Sequence, residues 1–272
     1  MSNSINTNGA AMVALGAMRN VGQQLQVSQK QIQTGYRVAD SLDDASTFTV
    51  AQGIRGNLQA FTAVTNSLTN GTGLGAVTEA ALTNISNLVA NLQAKITQLA
   101  DDAIGNDQRT IYAADFNAMI GQISTFITQA KYNGVNLLSN NSIARTFLAD
   151  VSASTLTVAS QSAVFTAFTT FSSSSVSSVS AATSALTSLT TFGSTVSAAL
   201  GGNVADTRAL RLQSNLLNAI VDSTNQGLGA VVDADIGKAS ASAQSRQVQQ
   251  QLAVQQLSIA NQQPQLILGI VR

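Results

Sequence analysis

The 272-residue chain has no cysteine, no histidine, no tryptophan and a single proline. Without histidine and cysteine it lacks the donors of most zinc sites, the usual haem ligands, and the parts of Ser-His or Cys-His catalysis. Charge is scarce too: 10% of residues, 13 basic against 13 acidic, where soluble domains average about 25%. Sparse, balanced charge leaves no basic footprint for nucleic acid. Aromatics make up 4%, too few to suggest a carbohydrate cleft. No apolar run approaches the roughly 18 residues of a membrane span, because Ser, Thr, Gln or Asn interrupts each one. Membrane insertion is therefore not expected. Met1 to Gly9 carries no cationic region followed by an apolar core, so a Sec signal is not expected either. The lack of cysteine suits a chain exported without disulfides. A surface so poor in charge favours association. Composition thus points to an assembling protein rather than an enzyme, with no cofactor and no metal.

What is present is helical pattern. Proline is the main helix breaker, and Pro264 lies near the C-terminus, so very long helices are permitted. Leu82, Ile85, Val89, Leu92, Ile96 and Leu99 alternate three and four residues apart, a seam for packing helix on helix. Phe116, Ile120, Ile123 and Ile127 repeat that spacing, and Ile54, Leu58, Phe61 and Leu68 do so less regularly. Such stripes also describe an ordinary bundle core.

The ends form amphipathic segments of their own. Met12, Leu15, Met18, Val21, Leu25 and Ile32 mark one face over residues 1–35; Val248, Leu252, Ile259, Leu266 and Ile270 mark another over 236–272. Two such helices with little charge are marginal alone and are expected to find their partners on assembly. Gly35 fits the left-handed residue that ends a helix. Ser41-Leu42-Asp43-Asp44 has the form of a capping box, with acids at the positive end of a helix dipole. Asp40, Asp43 and Asp44 also suggest a cation site, but an oxygen cage needs more ligands.

From Val135 the pattern changes. Ile143, Phe147 and Val151, then Thr155 to Val158, read as a β-hairpin with turn residues Asp150, Ser152 and Ser154. Residues 151–205 hold no charge in 55 positions, and 25 of them are Ser or Thr. A disordered linker is one reading. A long helix with a hydroxyl-rich face fits better, since Val179, Leu186, Leu189, Val196 and Leu200 keep helical spacing, continued by Leu210, Leu217 and Ile220. Gly71-Thr72-Gly73-Leu74-Gly75 lacks phosphate-loop spacing and reads as close helix packing. The expected fold is mainly α: a long-helix coiled coil and a helical bundle with a small β-hairpin near 140–160. Residues 1–35 and 236–272 form one part and 36–235 the other.

Five stretches, in order, resemble bacterial flagellin of the alphaproteobacterial type: Ser4 to Asn8; Thr34-Gly35-Tyr36-Arg37-Val38 with Asp43-Asp44-Ala45; Tyr132-Asn133-Gly134-Val135-Asn136-Leu137-Leu138; Gly229 to Asp235; and Leu257 to Gln265, with its A-N-Q-x-P-Q ending. The resemblance covers nearly the whole chain and looks like a minimal form without large outer domains. It implies a structural subunit of the flagellar filament, a helical homopolymer for motility, secreted by the type III export apparatus with the help of a secretion chaperone. It also implies the filament cap and hook-junction proteins as partners. The terminal helices, with Met12, Leu15, Leu25, Ile32, Val248, Leu252, Ile259 and Leu266, would then pair as the inner, assembly-bearing coiled coil. Arg19, Lys30, Arg246 and Arg272 would face the channel or pair with a neighbour. By the same resemblance Ser172, Ser173, Ser174 and Ser175 are candidate O-glycosylation sites. A hook–filament junction protein of the same fold and a flagellin-like carbohydrate-binding surface protein are the alternatives. Leu42 stands where relatives usually have lysine before the two aspartates.

Overall fold

The computed structural model describes the backbone of residues 7–270 and the side chains of residues 7–262. Six helices and one two-stranded sheet are found among these residues. In chain order they are α1 Gly9–Thr34, α2 Ala45–Leu99, α3 Asn106–Gln129, β1 Arg145–Leu148, β2 Thr155–Val158, α4 Ser162–Ser172, α5 Val179–Val232 and α6 Ile236–Ile270. The mainly helical fold with a small hairpin is therefore as the pattern indicates. The chain divides into two compact units, Met1–Gly56 with Ser223–Arg272 and Asn57–Asp222. The first thus takes in more than the two end helices.

The second unit owes its core to the seam spacing. Leu82, Ile85, Leu92, Ile96 and Leu99 of α2 and Phe116, Ile123 and Ile127 of α3 are buried together, while Val89 and Ile120 pack partly buried against them. Phe171 of α4 joins the layers: its ring meets Phe116 edge-on at 5.9 Å and stacks on Phe192 of α5 at 5.7 Å. Aromatic pairs at these separations add to the area they bury.

A second cluster gathers Val64, Leu68 and Leu74 of α2, Leu137, Val158 of β2, and Leu210 and Leu217 of α5. Here the hairpin docks by Phe147 and Leu156, with β1 and β2 antiparallel in the register Arg145 to Val158 and Leu148 to Thr155. Asp150 closes its turn, accepting from the Ser152 and Ser154 amides at 2.7 and 3.1 Å. Asn133 and Gly134 both have positive φ, at 48° and 79°. That is the backbone a tight Asn-Gly turn requires, and Tyr132 and Val135 bridge across it.

The long uncharged stretch resolves into β2, α4 and the first half of α5. Its hydroxyls do not compete with the helix because they bond backward along it. Thr183 donates to the Val179 carbonyl at 2.9 Å, Thr190 to Leu186 at 2.9 Å and Ser197 to Gly193 at 2.9 Å. Such bonds satisfy the hydroxyl on the helix's own carbonyls.

The glycine patch lies where α5 runs antiparallel to α2. A Cβ on Gly71 would meet Leu210 at 2.9 Å, one on Gly73 would meet the Tyr132 ring at 2.7 Å, and one on Gly75 would collide with Thr207 Oγ1. Buried Asn203 donates to the Gly75 carbonyl at 2.8 Å. Gly75→Ala should therefore cost about 1–3 kcal/mol through overpacking. The double variant Gly75→Ala with Thr207→Ala should recover part of the loss in thermal unfolding, since the clashing hydroxyl is gone. An unchanged melting temperature for the single variant would refute close packing at this position.

Candidate assembly site

The first unit is organised by α1 and α6 lying antiparallel. Asn8 Nδ2 donates to the Ala260 carbonyl at 2.8 Å, and Ser28 Oγ to Ser242 Oγ at 3.3 Å, so rising numbers on α1 meet falling numbers on α6. Asn8 also caps α1, accepting from the Ala11 amide at 3.0 Å. At the other end Gly35, at φ 75°, turns the chain out of the helix and bonds back to Gln31.

Much of the seam between the helices is made of small residues. On α6 the positions Ala239, Ala243, Arg246, Gln250, Ala253, Leu257 and Ala260 are buried or half-buried in a four-three alternation, with Ser240 and Ser242 half-buried beside them. On α1 they include Ala14, Met18, Val21, Leu25 and Ser28. This phase differs from that of the large apolar residues. Val248, Leu252 and Ile259 are 55%, 52% and 63% exposed, and Met12 is 67% exposed; Leu15 and Ile32 are exposed as well. Of the seven inner-helix residues named from sequence whose side chains are described, Leu25 alone is buried in the seam. The side chain of Leu266 lies outside the described residues, as do Ser4 to Asn6 and Arg272. Ala14, Ala253 and Ala260, which form the seam, were missed because alanine carries little weight in a search for large apolar stripes. The seven-residue step from Ala253 to Ala260 on α6 is the signal the sequence carries.

The turn linking α1 to α2 is fastened at both sides. Tyr36 bridges to Asp233, and the Arg37 amide and Arg37 Nη2 donate to Val232 and Val231 carbonyls at 2.7 and 2.6 Å. Two of the stretches that carry the family resemblance are thereby brought together. Lys30 Nζ reaches Asp40 at 2.6 Å and Asp43 at 2.8 Å. Asp43 in turn accepts from the Ala39 and Asp40 amides, and Asp40 from the Leu42 amide.

The Ser41 capping box is corrected by this geometry. Helix α2 starts at Ala45, and its cap is Asp44, which accepts from the Ser46 and Thr47 amides at 3.1 and 3.2 Å. Ser41 stands too far upstream, because Asp40 and Asp43 bind the intervening turn. No group of three or more His, Cys, Asp or Glu able to hold a metal occurs among the described residues; the acids here bind Lys30 and backbone amides instead. Arg246 bonds Gln249 on its own helix.

These contacts shift the titrations. The Lys30 hydrogen bond, the largest cause, lowers Asp40 and Asp43 below the ordinary 3.8, and the Thr47 hydroxyl does so for Asp44. The Asp40 and Asp43 hydrogen bonds raise Lys30 above 10.5. Depressed acids contribute stability above their unfolded pKa and lose it as pH falls through the folded one. A raised lysine contributes below its unfolded pKa and loses it as pH rises through the folded one. The difference in melting temperature between the chain and Lys30→Met should therefore hold through neutral pH. It should shrink as pH falls below 3.8 and again as pH rises above 10.5. A difference as large in strong acid as at neutrality would rule out the ion pairs as its source.

The bundle seam and the serine-rich turn belong to the second unit. Ser172 ends α4, and Ser173 to Ser175 follow in the turn before α5, with Ser173 and Ser175 exposed and Ser172 and Ser174 half-buried. No helix among the described residues is long and apolar enough to cross a membrane.

Residues 5–142 match the family described as Bacterial flagellin N-terminal helical region, and residues 179–270 match the Bacterial flagellin C-terminal helical region. Among similar proteins, Flagellin FljN of Caulobacter vibrioides is 33% identical over 99% of both chains, and Flagellin FljK of the same organism 30% over 99% of both. A flagellin of Brucella melitensis is 31% identical over 99% of both chains.

Proposed function

The chain belongs to the bacterial flagellin family and is a structural subunit of the flagellar filament, and on that premise we propose that its terminal helices carry the subunit-to-subunit contact. The observation that supports this reading is the phase of their side chains. The α1–α6 seam within one chain consumes mostly small residues, and leaves Met12, Leu15, Ile32, Val248, Leu252 and Ile259 exposed. Large apolar side chains left exposed in this number along two paired helices mark an interaction face. In a polymer it is covered by neighbouring copies, and burial of each large side chain contributes about 1.5–3 kcal/mol. Contacts that do not close on themselves then extend as an open helix.

The filament cap, the hook-junction proteins, the type III export apparatus and a secretion chaperone are the further partners under this reading. The chain is exported and acts outside the cell, and it carries no catalytic activity. Absence of cysteine suits passage as an unfolded chain, since no disulfide has to be remade afterwards.

Purified chain added to filament seeds should elongate them into helical filaments visible by electron microscopy. Chains lacking residues 1–35 or 236–272 should fail to elongate, and Ile259→Asp should slow growth by about tenfold or more with its helicity unchanged. Growth at the parental rate by either truncation would overturn the assignment of the terminal helices.

The hydroxyl-rich turn is proposed as a site of O-glycosylation, with exposed Ser173 and Ser175 the more accessible of Ser172, Ser173, Ser174 and Ser175. The secreted subunit should then exceed the 28.0 kDa of the bare chain by whole sugar units. An intact mass equal to that of the sequence excludes the modification.

A further inference from the structure

Leu42 is 93% exposed at the tip of the α1–α2 turn. It is also held in place. Its own amide and that of Asp43 donate to Asp40 Oδ1 at 2.9 and 3.2 Å, the Ala39 and Asp40 amides donate to Asp43 Oδ2 at 3.0 and 3.2 Å, and Lys30 spans both carboxylates. A leucine on a mount this well tied has little conformational freedom left to lose on docking, which favours binding. Its surroundings are net acidic: Asp40, Asp43 and Asp44 outnumber Lys30 and Arg37.

Helix α5 offers the complementary surface. Leu200, Val204 and Arg208, four residues apart, line a groove of about 450 Å³. Arg208 and Arg211 are exposed and make no ion pair among the described residues. One surface is therefore an apolar knob in an acidic collar, and the other an apolar groove with basic residues along it. They are different patches of one chain, so their union between copies is heterologous and extends without closing.

We infer that the Leu42 turn of one copy seats on the α5 groove of a second copy, with Leu42 against Val204 and the acidic collar facing Arg208 and Arg211. This rests on the filament reading, and adds to it a contact outside the terminal helices.

Because the chain has no cysteine, introduced thiols are the only ones present. Filaments grown from the double variant Leu42→Cys with Val204→Cys, mixed with an equal amount of unmodified chain, are treated with a short bis-maleimide and run on a denaturing gel. A ladder of covalent oligomers is expected. Leu42→Cys paired with Ile111→Cys, exposed on α3, should give none. Absence of the ladder from well-formed filaments, or an equal ladder from the Ile111 pair, overturns the contact. Failure of the unmodified chain itself to form filaments would instead count against the filament reading. As a second measure, Leu42→Asp should slow seeded elongation about tenfold while leaving the helicity of the free subunit unchanged; elongation at the parental rate overturns the contact.

Discussion

Close approach of helix backbones is the constraint on which the rest of the structure depends. Gly71, Gly73 and Gly75 leave room on α2 for Leu210, Tyr132 and Thr207, and an added Cβ at any of the three would collide. In the terminal unit Ala14, Ala239, Ala243, Ala253 and Ala260 play the same part between α1 and α6. Small residues bring two helices near enough for backbone and short polar groups to meet, as Asn203 does with Gly75 and Asn8 with Ala260. A seam filled by alanine also has a consequence for the outer faces. Large apolar side chains such as Val248, Leu252 and Ile259 lie outside the pair, and are left for whatever packs against it from without.

The same economy explains how so uncharged a chain remains ordered. Serine and threonine in helices usually compete with the backbone. Along α5 they turn back to carbonyls three or four residues earlier, as Thr183, Thr190 and Ser197 do. The helix then presents a hydroxylated face without side-chain charge. Such a face can meet water or another protein surface, whereas an unpaired lysine or aspartate buried between subunits would be costly.

Much of this was legible in the sequence, and the failures share a cause. The α2–α3 seam was readable because its buried residues are large: Leu82, Ile85, Phe116 and Ile123 announce their spacing. The hairpin was readable from alternation and from Asp150 with its serines. On α6 the same method followed Leu252, Ile259 and Leu266, while the seam runs one residue later through Ala253 and Ala260. The hydrophobic signal weights size, and this seam selects against size. The cap of α2 was misplaced for a related reason. Ser41 with Asp44 fits a local template, but the acids at 40 and 43 are claimed by Lys30, ten and thirteen residues away. A pairing across the end of a helix leaves no periodic trace in the sequence.

The few acids that remain are used as fasteners. Asp44 and Asp235 each hold the first turn of a helix by its free amides, Asp235 through the Lys238 amide at 3.0 Å. Asp150 holds the hairpin turn, and Asp206 takes the Ala159 amide at 2.9 Å where β2 ends. Asp40 and Asp43 lock the α1–α2 turn, and Asp115 on α3 takes Lys95 of α2 at 2.8 Å. An ionised acceptor on a backbone amide makes a stronger hydrogen bond than a neutral one. A chain that holds its charge to 10% therefore gains most by placing it where the chain changes direction. The helix faces between those turns are left mostly to apolar, hydroxyl and amide side chains, and these can be stacked copy upon copy with few charges to strand.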